Sequence, residues 1–337
     1  MKHVTIKDVA KQLNVSISSV SRAFNDKYDI KKETKELILK TAEEMGYFPN
    51  PIAKKLSQNK TFNIGVVVPE FINEYYSEII IGIQEVFMAY GYQVLIAQSD
   101  ENPEIELKNV KTLIHSMVDG LIIAPTMEST NMEYYLKELN NGCPIVFMSR
   151  VKENLQASKV LFNNKKWAFF ATEHLIRQGY TKIYYLAGSK NLNVSVDRIE
   201  GFKRAMNKHK IPKENYKILE TGLLAEDGMQ IMEDLIYNHD LPDAIFCFND
   251  RVAMGVISKL KSNAIKVPQD IALMGFTETR MVNLMTPKLS SVKQPTFDIG
   301  KNAAELLFKQ INDSLMEPQT IVLNGELTIR ESSVRKL

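Results

Sequence analysis

A chain of 337 residues with 45% hydrophobic content has the length for two or three domains and the apolar material for sizeable cores. Its two cysteines, Cys143 and Cys247, lie far apart, which argues against a disulfide scaffold and for a reducing compartment. The formal charge of +2 hides an asymmetry, because residues 1–60 hold 12 Lys and Arg against 7 Asp and Glu while the remainder holds 30 against 33. A basic headpiece on a mildly acidic body is the arrangement of a phosphate-binding module joined to a separate core. The opening "MKHVTIKDVAKQ" lacks an apolar h-region, and no apolar run reaches the roughly 18 residues of a membrane span. The expectation is a cytoplasmic protein that meets no membrane.

In chain order, "TIKDVAKQL" places Thr5 three residues before Asp8, a relative of the capping box, with Ile6, Val9, Ala10 and Leu13 at helical spacing. Asn14 tolerates the left-handed backbone of a tight turn, though less cheaply than glycine. Ser16 is a good N-cap for a second helix whose inward contacts are Val20, Ala23 and Phe24. Two short helices separated by about three residues form a helix-turn-helix unit. The four serines of "VSISSVSRAFN" then have a use, since short hydroxyl side chains let a helix approach DNA phosphates closely. Ile17, Ser18 and Arg22 share the face opposite Phe24, where Arg suits a guanine edge, Ser a hydrogen-bonding base and Ile a thymine methyl. "ETKELILKTAEEMGY" reads as a third helix with Leu37, Ile38, Ala42 and Met45 inward and Gly46 as its end. Two prolines in "FPNPIAKKL" break it, and Ile52 to Leu56 form at most a marginal turn and a half by themselves.

"TIKDVAKQLNVSISSVSRAFN" followed by "ETKELILKTAEEMGYFPNPIAKKL" resembles the headpiece of the LacI-type bacterial transcription regulators, without a gap over about sixty residues. Asn14 departs from that pattern, where glycine is usual. The resemblance implies that Ile17, Ser18 and Arg22 read bases. It assigns Thr5, Ser16, Ser19, Ser21, Asn25 and Tyr47 to the DNA backbone or its close support. It also implies that Ala53, Lys54, Lys55 and Leu56 form a hinge element in the minor groove, with Leu56 wedged between base pairs. The partner is then a double-stranded, near-palindromic operator bound by a homodimer.

After residue 61 the texture changes to strand–helix alternation. "NIGVVVPE", "YQVLIAQS", "VDGLIIAPT" and "PIVFMSR" make one set of β-branched apolar runs, and "ASKVLFN", "KIYYLAGS", "YKILETG", "AIFCFND" and "IALMGFT" a second. Continuous apolar strands between helices mean parallel sheets covered on both faces, so two sets mean two α/β lobes with a ligand crevice at the strand ends. The expected fold is therefore α/β overall, a small all-α headpiece plus a two-lobed core of parallel sheets flanked by helices. The resemblance continues through "ATEHLIRQGYTKIYYLAG", "RIEGFKRAM", "AIFCFNDRVAMGV" and "LSSVKQP", and implies a core similar to periplasmic sugar-binding proteins. It yields a headpiece at 1–49, a hinge and linker at 50–61 and an effector-binding and dimerisation core at 62–337. Crossings near 161, 290 and 320 divide that core into one lobe of about 62–160 plus 291–320 and another of about 161–290 plus 321–337. No leucine heptads follow "LTIRESSVRKL", so a dimer without a coiled-coil tail is expected.

By the same resemblance, the effector-binding residues are Phe71, Asn73, Tyr75, Tyr76, Ser99, Asp100, Arg150, Arg198, Asn249, Asp250, Phe276 and Thr277, with Arg198 and Asp250 foremost. Aromatic faces for C–H surfaces, and Arg, Asp and Asn for hydroxyls, suit a sugar or sugar derivative. Thr277 stands where sugar-responsive relatives commonly have Asp. Glu278 or Asp100 would have to replace that acceptor, or the effector would be an acidic or phosphorylated sugar. Regulation by a purine or by a protein partner is the alternative. An enzyme is the rival for the body, yet there is no GxSxG elbow, HExxH, phosphate-binding GxxxxGK[ST] or CxxC pair. His3, His115, His174, His209 and His239 are scattered, and His174 reads as structural. A transport-type binding protein would carry a signal peptide in place of the headpiece. No catalytic residue, metal site or cofactor is expected, and the function read from the sequence is a metabolite-controlled repressor.

Overall fold

A computed structural model describes residues 4–24, 30–47 and 60–335. Asn25 and the hinge residues Ala53, Lys54, Lys55 and Leu56 lie outside these described residues. The chain forms two compact units, Met1–Phe62 and Asn63–Leu337.

In the first unit, α1 (Ile6–Gln12), α2 (Ile17–Phe24) and α3 (Lys32–Glu44) enclose a core of Val9, Ala10, Val20, Ala23, Ile38 and Ala42. Asp8 accepts hydrogen bonds from the Thr5 amide at 2.8 Å and the Thr5 hydroxyl at 2.7 Å, which starts α1. Asn14 takes φ of 52°, the left-handed turn that its side chain tolerates. Ser16 Oγ accepts from the Ser19 amide at 3.1 Å and so caps α2. Gly46, at φ of 67°, closes α3. Leu37 is not inward. It is 55% exposed, because Ile38 and Ala42 define the buried i, i+4 stripe and Leu37 is rotated about 100° from it.

The second unit holds two six-stranded sheets. The first has β1 (Asn63–Val68), β2 (Gln93–Gln98), β3 (Gly120–Ile123), β4 (Ile145–Met148), β5 (Ser158–Phe162) and β11 (Thr320–Leu323), in the order β11-β5-β4-β3-β1-β2 and parallel throughout. The second has β6 (Ile183–Ala187), β7 (Tyr216–Glu220), β8 (Ala244–Cys247), β9 (Ala272–Thr277), β10 (Ser290–Lys293) and β12 (Glu326–Thr328), in the order β12-β10-β9-β8-β6-β7. Only the β10–β12 pair is antiparallel. Helices α4 (Glu74–Ala89), α5 (Pro103–His115), α6 (Met132–Asn140) and α11 (Thr296–Asn312) accompany the first sheet. Helices α7 (Asn164–Arg177), α8 (Asn193–Lys208), α9 (Ala225–Tyr237) and α10 (Asp250–Ser262) accompany the second.

The lobe boundaries differ from the expected ones in a regular way. "ASKVLFN" supplies β5, which pairs with β4 and belongs to the first sheet, not to the second set. Residues 291–293 lie in the second sheet through β10 and 321–323 in the first through β11. The chain therefore changes lobe just after β5, β10 and β11, each time at the end of a strand. An apolar run announces a strand, but the neighbour it chooses is a non-local fact. The three crossings are packed together at Gly325, where a Cβ would stand 2.2 Å from the Lys293 carbonyl oxygen and 2.9 Å from the Phe162 ring.

Candidate DNA face and effector cleft

On α2 the expected reading face is exposed. Ile17 is 46% exposed, Ser18 and Arg22 are exposed, and Val20 and Ala23 are buried on the opposite side. Ser18 and Ser19 hydroxyls lie 2.7 and 2.8 Å from Ser16 Oγ, so the serines form a hydrogen-bonded cluster around the first turn. Ser21 is half-buried. Thr5 sits at the start of α1, tied to Asp8. Tyr47 is 9% exposed, and its ring meets Phe24 edge-on with centroids 5.5 Å apart. Its ring therefore supports α2 from inside the core.

Between the two lobes of the second unit lies a cavity of about 810 Å³. Its walls come from loops at the carboxyl ends of strands, where the following helices begin. Asparagine recurs there for a local reason: Asn73 accepts from the Tyr75 amide at 3.1 Å, Asn163 from the Lys166 amide at 3.2 Å and Asn249 from the Val252 amide at 2.8 Å, each capping a helix. Two of the loops turn through left-handed residues, Ser149 (φ 56°) with Arg150 (φ 25°), and Thr277 (φ 118°) with Glu278 (φ 59°). These sharp turns set the strand-end side chains at the crevice.

Of the expected effector residues, Asn73, Tyr75, Tyr76, Arg150, Arg198, Asn249 and Thr277 line the cavity. Tyr75 shares a hydrogen bond with Ser149, which also lines it. Arg150 is held by Glu101 at 2.7 and 2.9 Å and lies 5.7 Å from the Tyr76 ring centroid. Arg198 is 6% exposed; its Nε donates to Asn164 Oδ1 at 2.9 Å and its Nη1 to the Phe248 carbonyl at 2.5 Å. The guanidinium is stacked 3.7 Å from the Phe276 centroid and 4.5 Å from that of Phe248. Desolvation lowers its pKa to about 10, and it makes no ion pair among the described residues.

The other expected residues stand outside the lining. Phe276 is completely buried beneath Arg198. Asp250 is 1% exposed and spends its oxygens on Ser291 Oγ at 2.7 Å and the Thr279 amide at 2.8 Å. Burial raises its pKa to about 6. It braces the β9 and β10 ends rather than facing the cavity. Ser99 is fully buried against the Val68 carbonyl, Asp100 is tied to Gln98, and Phe71 is 43% exposed away from the lining. A strand-end position selects a loop, but the direction of each side chain depends on that loop's dihedrals. Glu278 is no substitute acceptor, since Arg330 holds it at 2.5 Å and Thr328 donates to it. His174 is structural, with its Nε2 2.8 Å from Ser333 Oγ.

Sequence reasoning passed over Ser149, Asn163, Asn164, Asp197, Phe248 and Gln294 in the lining. An Asn between a strand and a helix was a usable signal for Asn163. Links across the cleft include Arg251 to Glu70 at 2.6 Å, Arg280 to Glu74 at 2.9 Å and to Glu78 at 3.5 Å, and the Asn193 side-chain amide donating to the Val151 carbonyl at 2.7 Å. Among the described residues no group of three His, Cys, Asp or Glu is placed to hold a metal ion, and no helix is long and apolar enough to cross a membrane.

Comparison with known proteins bears on both parts. Residues 5–50 match the model for bacterial regulatory proteins of the lacI family, and residues 172–333 match a periplasmic binding protein-like domain. Catabolite control protein A of Priestia megaterium is 31% identical over 333 residues, covering 98% of this chain and 99% of that protein. A crystal structure of the lac repressor dimer bound to operator and an anti-inducer has a TM-score of 0.89 at 22% identity, covering 99% of this chain and 100% of that one. A LacI family regulator from Enterococcus faecium with bound ribose has a TM-score of 0.73 at 26% identity, covering 81% of this chain and 98% of that one. With a headpiece and core that both match, and a relative at this identity along almost its whole length, the chain belongs to the LacI family of DNA-binding transcriptional regulators and is not an enzyme.

Proposed function

We propose that the protein is a homodimeric repressor whose affinity for a near-palindromic operator is set by a small molecule, a sugar or sugar derivative, held between the lobes of the core. The observation that carries this reading is Arg198, a buried cation without an ion pair among the described residues, at an 810 Å³ cavity and set against two aromatic faces. A guanidinium left without a carboxylate in a low-dielectric site is stabilised by a ligand that fills its remaining hydrogen bonds. The ribose held by the Enterococcus faecium regulator supports the sugar class.

Ile17, Ser18 and Arg22 read bases in this account, while Thr5, Ser16, Ser19 and Ser21 approach the phosphates. The homodimer is supported by β2, an edge strand with Leu95 and Ile96 36% and 38% exposed, and by Ile81 and Met88 exposed on α4. A long apolar edge is a pairing surface that a second copy covers. Lobe arrangement acts on the spacing of the two headpieces, and the ligand shifts operator affinity only by its preference between arrangements.

The test combines thermal unfolding of the full chain against a sugar panel with operator binding. A bound sugar at about 100 times its Kd adds roughly 2.7 kcal/mol of stability. Arg198→Ala, checked for its own melting temperature because Arg198 also packs, is expected to weaken that sugar at least about 100-fold, removing charge-assisted hydrogen bonds. Full affinity in the folded variant would refute the cleft as the sensing site.

A further inference from the structure

The charges around the cleft do not all have partners. Arg150 is paired with Glu101, Lys165 with Glu200 at one edge, Glu70 with Arg251, and Lys190 lies 3.9 Å from Glu220. Two cations of the lining, Lys152 and Arg198, and two anions, Glu153 and Asp197, have no ion pair among the described residues. The unpaired lining charges therefore balance.

Asp197 is the more informative anion. It precedes Arg198 on α8, it is half-buried, and it neither pairs with Arg198 nor accepts a hydrogen bond among the described residues. Burial raises its pKa, as for a carboxylate poorly served by solvent. Glu153, the other unpaired anion of the lining, is exposed, and the nearby buried carboxylates are committed, Asp250 to Ser291 and Thr279, and Glu278 to Arg330 and Thr328. Thr277, the last residue of β9, offers only a hydroxyl 3.4 Å from Gln294 Nε2.

We propose that Asp197 is a specificity-determining carboxylate of the effector site, accepting hydroxyl protons of a neutral polyhydroxylated ligand whose oxygens accept from Arg198. A hydroxyl both donates and accepts, so neighbouring hydroxyls satisfy an adjacent carboxylate and guanidinium together. A carboxylate or phosphate ester at the same spot gains Arg198 but meets the like charge of Asp197 one residue away. The assignment rests on the cleft being the effector site, and it turns the acidic or phosphorylated alternatives into the disfavoured ones.

The experiment uses the full chain. Ribose, glucose, galactose, cellobiose and mannitol are titrated beside glucuronate, glucose 6-phosphate and ribose 5-phosphate, in the wild type and in D197N, D197E and R198A. A neutral compound is expected to bind, about 10- to 100-fold more weakly in D197N, the loss typical of one charge-assisted hydrogen bond, with partial recovery in D197E and an unliganded melting temperature unchanged in D197N. D197N binding within twofold of wild type, a preference for an acidic or phosphorylated member, or tighter binding of such a member by D197N each overturns the assignment. Silence across the panel overturns the polyol class. Loss in R198A with none in D197N rejects Asp197 and leaves the cleft standing, whereas full binding in both variants rejects the cleft itself.

Discussion

The headpiece and the core carry their chemistry in opposite ways. On α2 the residues proposed to read bases stand on one face of a single helix while Val20 and Ala23 hold the other face in a core, so the proposed recognition and the folding are separated by rotation about one axis. In the cleft the same side chains do both jobs. Arg198 packs on Phe276 and lines the cavity, Asn249 caps α10 and lines the cavity, and Tyr75 is tied to Ser149 across the wall. Substitutions on the exposed face of α2 are expected to change DNA binding without changing stability, whereas substitutions of cleft residues that also pack or cap, such as Arg198 and Asn249, are expected to change ligand binding and stability together.

The largest expected departure comes at the point where the lobes are stitched together. Gly325→Ala places a Cβ against the Lys293 carbonyl oxygen, a backbone atom that moves only if a crossing segment moves. A loss of about 3 kcal/mol, the upper range for overpacking, is expected in chemical unfolding of the core. A variant as stable as wild type would show that the crossings are loosely packed and break the contrast drawn here.

Next comes Arg22→Ala. It is expected to cost about 1–3 kcal/mol at one operator base pair and to relax preference there, with unfolding unchanged. Selection from random DNA reads the outcome, and an unaltered preference would move base reading off Arg22. The smallest effect sharpens the local side of the comparison. Asn14→Gly, at φ of 52°, is expected to stabilise the headpiece by less than about 1 kcal/mol while leaving operator affinity alone. Destabilisation would mean that the Asn14 side chain contributes more than turn tolerance.

The same contrast explains what was legible beforehand. The capping of α1, the left-handed turn at Asn14 and the outward Ile17, Ser18 and Arg22 all depend on neighbours within four residues, and each follows from spacing. Leu37 shows the resolution of that reading, since one residue of helical rotation separates it from the buried stripe. The strands and the two-lobed plan were legible from apolar runs, but β5 was assigned to the wrong set and the second and third crossings fell short by about the length of one strand. Asp250 was placed at the ligand and in fact braces two strand ends, whereas Asp197 beside Arg198 went unnoticed. Loop dihedrals decide which way a strand-end side chain points, and no periodicity encodes them.

The central claim is that a ligand in the cleft and DNA at the headpiece communicate through one change of arrangement. Titration of the bound sugar into the full chain, with and without saturating operator, tests it most directly. Linkage requires that operator change the sugar's Kd by the same factor by which sugar changes the operator's, within the 5- to 150-fold range typical of such coupling. Equal factors, both lost in Arg198→Ala, are the result predicted here. A sugar that binds the cleft with the same Kd in both titrations would contradict it.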